Sequence, residues 1–185
     1  MSLFTHYKND LINALNSIDN SKIDLIIQSV LNIKNNNKKV FLIGNGGSSA
    51  TPSHSAGDWS KELSIKALCL SDNTPALTAF ANDTDYSNVF KGQLEVFLEH
   101  GDLVIGYSGS GNSPNVINAI DYAKSKGNYT IGLTGNYKNG NGGKLAKIAN
   151  LALVFDTLSM EVIEDLHLIV NHIIKEGIKL RLQEN

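Results

Sequence analysis

From residue 39 onward, short apolar runs alternate with segments of helical periodicity, and this alternation constrains the fold more than any other feature. The apolar runs predict strands at 39–44, 66–71, 102–107, 129–134 and 151–155. The remaining periodic segments predict helices at 47–63, 75–81, 86–99, 113–126, 143–149 and 159–182. Strands that are apolar throughout are typical of a sheet covered on both faces. The sequence therefore predicts an α/β fold in which helices flank a five-stranded parallel sheet.

The region before the sheet is helical. Apolar residues recur at helical spacing over residues 4–35, and Ser21 is the expected N-cap of a second helix. A chain of 185 residues is long enough for one domain with its own core. We expect a single domain over 1–185, with an N-terminal helical pair in 1–37 and the α/β core in 38–185.

Composition narrows the class of partner. Lys and Arg (16) nearly balance Asp and Glu (18), for a net charge of −2. Broad nucleic-acid binding usually requires a basic domain, so we expect no nucleic-acid partner. Cys69 is the single cysteine, which excludes an internal disulfide. No apolar run approaches the roughly 20 residues of a membrane span, and the first residues lack the apolar core of a signal peptide. We expect a cytoplasmic protein without membrane contact.

Two predicted strands run directly into turns rich in glycine and serine, at 44–49 and 107–113. Glycine lets backbone amides approach a ligand closely, and the following helix directs its positive end at the turn. Neither turn matches a Walker loop or a dinucleotide fingerprint. Ligands of parallel sheets bind at the carboxyl ends of the strands, so the turns predict an anion site at one edge. Further hydrogen-bond donors come from the hydroxyls of Ser48, Ser108, Ser110 and Ser113.

Two pairs of titratable residues have helical spacing. His54 and Asp58 are four residues apart, and Glu164 and His172 are eight apart. Each pair therefore shares one face of its predicted helix. Such a set could bind a divalent metal, for which zinc is suited. It could instead exchange protons with a substrate, or form two solvated helix surfaces. Spacing alone leaves these three interpretations open.

Together these segments resemble the sugar isomerase (SIS) family, and within it the phosphoheptose isomerase branch. The resemblance covers nearly the whole chain and implies a three-layer, flavodoxin-like sandwich with the N-terminal helical pair. Its motifs are specific to that branch. The segments that carry it are 44–48 with His54, 81–83, 106–116, 131–135, and 164–167 with His172.

The resemblance implies an aldose–ketose isomerase. Members of this branch interconvert D-sedoheptulose 7-phosphate and D-glycero-D-manno-heptose 7-phosphate through an enediol. The reaction leads to nucleotide-activated heptose for lipopolysaccharide or surface glycans. The resemblance also implies a homotetramer with active sites at subunit interfaces and one zinc ion per subunit.

Roles carry over from the family by position. Asn45 and Asp83 would contact the sugar, and Asp58 and His172 would be the acid/base pair. The phosphate would be held by Ser48, Ser108, Ser110 and Ser113, with the backbone of Gly46, Gly47 and Gly109. The zinc ligands would be His54, Asp58, Glu164 and His172.

The chain departs from the family pattern at three of these positions. Asp58 stands where Glu is usual, Glu164 where Gln is typical, and Gly109 where Thr or a similar residue occurs. Two alternatives follow. The chain could be a non-catalytic phosphosugar-binding protein or one that associates with a replication initiator, or it could isomerise another phosphosugar. Retention of the histidine and carboxylate set favours the enzyme.

Overall fold

A computed structural model describes residues 2–183 of the chain. Five parallel strands form one sheet in the order β2-β1-β3-β4-β5. In its register, Ile43 of the first strand lies opposite Gly106 of the third, so both strands end at the same edge. The strands are β1 (Lys39–Ile43), β2 (Lys66–Cys69), β3 (Leu103–Ser108), β4 (Tyr129–Gly135) and β5 (Leu151–Phe155).

Helices precede the sheet and connect its strands. Single 3-10 turns lie at Tyr86–Asn88 and Tyr137–Asn139. Among the helices described, none has the length and apolar character needed to cross a bilayer. The helices are α1 (Leu3–Asn16), α2 (Asn20–Asn35), α3 (Gly47–Leu63), α4 (Thr74–Asp83), α5 (Val89–Phe97), α6 (Pro114–Ser125), α7 (Gly143–Ile148) and α8 (Met160–Gln183).

Both faces of the sheet are covered, which confirms the predicted three-layer sandwich. In β1, Val40 and Leu42 belong to an apolar cluster with residues of α1, α2, α3 and α8. Phe41 and Ile43 belong to a second cluster with residues of α5, α6 and α7. All four side chains are fully buried. Because side chains alternate along a strand, a continuous apolar run supplies both layers at once.

Some predicted boundaries differ from those in the structure, among them the start of α2, the start of the helix predicted at 86–99 and the end of β2. Helix α2 is capped by Asp19, whose carboxylate accepts from the Ser21 amide at 2.9 Å, so the prediction of Ser21 as N-cap was wrong. The helix predicted at 86–99 begins as a 3-10 turn, because Asp85 caps that turn through the Ser87 amide. Strand β2 ends at Cys69 rather than residue 71. Apolar periodicity locates elements well but does not identify the capping side chain.

Candidate active site

The two glycine- and serine-rich turns meet at the point where the strand order reverses. β1 and β3 are neighbours, while β2 lies on the other side of β1. Helix α3 follows β1 and helix α6 follows β3, and these two helices pack in opposite layers. The connections therefore diverge and leave a crevice beyond the carboxyl ends of β1 and β3. Ligands of doubly wound sheets bind at such a point.

Neither helix that begins at this crevice has a side-chain N-cap. The N-cap of α3 is Gly46, at φ 56°, and the N-cap of α6 is Ser113; neither side chain accepts a helix amide. The first amides of α3 are thus available to an anion. Helix α6 offers fewer, because Pro114 has no N–H and the Val116 amide donates to Asn115 Oδ1 at 3.0 Å. Ser48 is buried in the first turn of α3. The hydroxyls of Ser108 and Ser113 lie 3.0 Å apart, so they face one another across the second turn.

A reciprocal amide pair joins the two turns. Asn45 Nδ2 donates to Asn115 Oδ1 at 2.8 Å, and Asn115 Nδ2 donates to Asn45 Oδ1 at 2.8 Å. Tyr86 also donates its hydroxyl to Asn45 Oδ1, at 3.0 Å. The orientation of Asn45 is therefore set from two elements. Sequence reasoning missed Asn115 and Tyr86, since neither has a local spacing that connects it to residue 45.

Gly109 lies close to a methionine side chain of α8. A Cβ atom at this position would lie 2.3 Å from Met160 Sδ. A threonine-like side chain would fit here only if the flexible side chain of Met160 moved, so we expect the two positions to be coupled. The second predicted sugar contact, Asp83, is exposed at the end of α4, where Asn82 donates to its Oδ1 at 2.8 Å.

Residues 136–143, which follow β4, are exposed only in part. The segment 138–141 faces solvent, whereas Gly142 and Gly143 are buried. The start of α7 is tied to the second turn, because the Leu145 amide donates to the Gly111 carbonyl at 2.8 Å. This hydrogen bond holds the segment that follows β4 against the predicted phosphate turn.

Helices α3 and α8 lie side by side and bring His54, Asp58 and His172 together. The Nε2 atoms of the two histidines are 3.2 Å apart, and Asp58 Oδ2 lies 3.5 Å from His54 Nε2. One potential ligand atom from each residue lies within 4.8 Å of the others. The histidines are 118 residues apart in sequence, so this pairing is a product of the fold.

The three residues fit a zinc ion by donor type and spacing. Imidazole nitrogen and carboxylate oxygen are common zinc ligands. Two nitrogens on a tetrahedral zinc ion are separated by about 3.3 Å, given Zn–N bonds of about 2.05 Å. The observed separation of 3.2 Å between the Nε2 atoms matches that value.

Glu164 lies apart from this group. Its Oε2 atom lies 2.2 Å from where a Cβ of residue 47 would be, so its carboxylate covers Gly47 at the start of α3. Eight residues of helix correspond to an axial rise of about 12 Å, so Glu164 and His172 share a face of α8 at different levels. A carboxylate beside the positive end of a helix is electrostatically favourable. Its role as a zinc ligand stays a prediction.

Lys175 was missed by the sequence reasoning. Its ammonium donates to Asp58 Oδ2 at 2.8 Å and to Glu62 Oε1 at 3.4 Å. The hydrogen bond from Lys175 lowers the pKa of Asp58 and raises that of Lys175. Glu62 is also paired with Lys179, whose hydrogen bond lowers the Glu62 pKa. Helical spacing from Asp58 and His172 could have indicated these residues.

Comparison with known proteins identifies the family of this chain. A family model for the SIS domain matches residues 4–135. The "Probable phosphoheptose isomerase" of Thermoplasma volcanium is 40% identical over 182 residues, covering 91% of this chain and 91% of that protein. The phosphoheptose isomerase of Sulfurimonas denitrificans is 40% identical over 159 residues, covering 83% and 80%. The structure of phosphoheptose isomerase from Neisseria gonorrhoeae matches with a TM-score of 0.87 at 29% identity, covering 95% of this chain and 94% of that one.

The chain belongs to the SIS domain family and, within it, to the phosphoheptose isomerases, which are aldose–ketose isomerases. The family prediction made from the glycine, serine and histidine motifs is therefore confirmed. The predicted fold class is confirmed as well, by the sheet order and by the match to the Neisseria gonorrhoeae structure.

Proposed function

We propose that this chain interconverts D-sedoheptulose 7-phosphate and D-glycero-D-manno-heptose 7-phosphate. The observation that carries the proposal is that α3, whose N-terminus has no side-chain cap, also carries His54 and Asp58 of the group formed with His172. An anion cradle next to paired acid/base groups is what isomerisation of a sugar phosphate requires. The names of the relatives supply the heptose.

The phosphate would bind where the two turns converge. Backbone amides at the start of α3 offer donors without a charged side chain. The sugar would extend along the crevice past Asn45 and Asp83, with Asn45 held by Asn115 and Tyr86. The donors assigned to the phosphate are Ser48, Ser108, Ser110 and Ser113 and the backbone of Gly46, Gly47 and Gly109.

Isomerisation moves a proton between C1 and C2 through an enediol. We assign this work to Asp58 and His172, whose side chains lie in one group on facing helices. One takes the proton from carbon, and the other moves protons between the two substrate oxygens. A zinc ion held by His54, Asp58 and His172, with Glu164 as a further candidate ligand, would polarise the carbonyl and stabilise the enediolate.

The active form is proposed to be a cytoplasmic homotetramer with one zinc ion per subunit and its sites at subunit interfaces. Large apolar side chains are exposed on both α1 and α8, including Phe4, Leu168, Ile173 and Leu180. A groove of about 610 Å³ runs between α2 and α8 and reaches His172. The exposed apolar side chains and this groove support the proposal of a subunit interface on α1 and α8. The product would enter nucleotide-heptose synthesis for lipopolysaccharide or surface glycans.

The proposal is tested by following sedoheptulose 7-phosphate by NMR with zinc-loaded, untreated and chelator-treated protein. We expect heptose 7-phosphate to form and its formation to stop on chelation. Substrate that binds without conversion under every condition would overturn the proposal and favour another phosphosugar or a sensor.

Two variants test the assigned roles. Ser110→Ala should weaken substrate binding, whereas the control Ser125→Ala, at the far end of α6, should not. His172→Gln should abolish turnover and leave the circular dichroism spectrum unchanged. Normal turnover in His172→Gln would refute the assigned mechanism.

A further inference from the structure

Lys175 is a largely buried cation that lies beside the histidine and aspartate group. It follows His172 by one helical turn, and its side chain is only 12% exposed. The oxygen that accepts its hydrogen bond is Asp58 Oδ2, the same atom that faces His54 Nε2 at 3.5 Å. One carboxylate oxygen therefore lies between an ammonium and an imidazole.

We infer that Lys175 is a positioning residue that holds Asp58 in place at the His54–His172 pair and, by occupying its carboxylate, weakens divalent-cation binding there. The inference rests on the proposed role of Asp58 in isomerisation. It adds a residue to that site which the family motifs in this sequence do not include.

The ammonium of Lys175 is held in place by a second carboxylate. Its ammonium also contacts Glu62 Oε1 at 3.4 Å, and Lys179 pairs with Glu62 from the next turn of α8. Two carboxylates of α3 thus hold one ammonium of α8. An exposed ion pair contributes little because its long side chains stay mobile, but this lysine is largely buried and bridges two partners. Its restraint on Asp58 matters because a change of rotamer about χ1 or χ2 would move the carboxylate away from His54.

The charge of Lys175 opposes a cation at the same carboxylate. A divalent ion bound by Asp58, His54 and His172 would lie within a few ångströms of the ammonium. Repulsion between a unit charge and a divalent ion about 4 to 6 Å apart, in a water-like dielectric, corresponds to about a ten- to thirtyfold change in affinity. Removing the lysine should therefore strengthen zinc binding while it releases the carboxylate.

The test compares Lys175→Met, Lys175→Gln and Lys175→Arg with wild-type protein, and uses Lys179→Met as the matched control. Zinc affinity is measured on metal-free protein by competition with a chromophoric chelator, and kcat and KM are measured on zinc-loaded protein. For Lys175→Met we expect about ten- to thirtyfold tighter zinc binding together with about a tenfold lower kcat and little change in KM. Lys175→Arg should keep the wild-type zinc affinity and kcat. Lys179→Met should match wild type in both quantities within about twofold.

The opposite signs of the two changes separate positioning from a structural role, which would lower affinity and kcat together. Folded Lys175→Met with wild-type zinc affinity and kcat would overturn the inference. If Lys175→Met does not fold, Lys175→Gln decides, because it keeps a donor for Asp58 and removes the charge; wild-type zinc affinity in that variant overturns the inference. Absence of isomerase activity in wild type would contradict the proposed function, while the zinc titrations would still test the effect of Lys175 on the site.

Discussion

Acid should destabilise this protein through His167, a residue outside the crevice. His167 is fully buried in α8 between the rings of Tyr107 and Phe155, at centroid distances of 5.4 and 5.6 Å. Neither ring nitrogen has a hydrogen-bond partner in residues 2–183. Burial lowers its pKa from 6.5 to about 4, and the nearby Leu133 backbone offsets this only in part. The folded protein therefore keeps the imidazole neutral at pH values where the unfolded chain protonates it.

The sign and size of the effect follow from proton linkage. Between pH 6.5 and about 4 the unfolded state binds more protons, so the contribution to stability is complete above pH 6.5 and is lost as the pH falls. A difference of about 2.5 pKa units corresponds to about 3 kcal/mol, at about 1.4 kcal/mol per unit. For a domain of this size that is a substantial fraction of the free energy of unfolding.

The assay is urea unfolding of metal-free protein from pH 7 to 4.5, for wild type and His167→Leu. Every other titrating group is common to both proteins, so it cancels in the difference. The stability of wild type relative to the variant should fall by about 2–3 kcal/mol across this range. Parallel stability curves would refute the argument that burial suppresses protonation of His167.

Two further predictions concern the crevice. Gly109→Thr should lose about 1–3 kcal/mol of stability by overpacking, measured by thermal unfolding. Adding Met160→Ala to the same chain should recover part of that loss. Equal losses with and without Met160 would contradict the contact. Asn115→Ala should raise KM for the sugar phosphate by releasing Asn45, and a double-mutant cycle with Asn45→Ala should be non-additive, whereas additive losses would show that the amide pair does not act as a unit.

Much of the fold could be predicted because its signals are local. Continuous apolar runs such as that of β1 specify strands buried on both faces, and alternation with helical segments specifies parallel pairing. The two turns could be located because glycine and serine follow directly after strands. Boundaries were less accurate where a single side chain decides them, as Asp19 does for α2.

The candidate site was predictable only in its parts. The spacing of His54 and Asp58 indicated one helix face, and the family resemblance connected that face to His172. The same reasoning grouped Glu164 with His172, but shared helical phase does not specify axial level, and Glu164 lies two turns away beside Gly47. Lys175 has no motif of its own, and its contact with Asp58 depends on the packing of α8 against α3.

The sequence by itself determined the layers, the parallel sheet and the position of the two glycine- and serine-rich turns, because each depends on residues that are close together in the chain. Only the tertiary structure decided which side chains meet across 118 residues of chain. His54 reaches His172, and Asp58 reaches Lys175, because α3 and α8 pack side by side with these residues at matching levels along the two helices. That register is set by the burial of two helices against one sheet face, which no local spacing encodes.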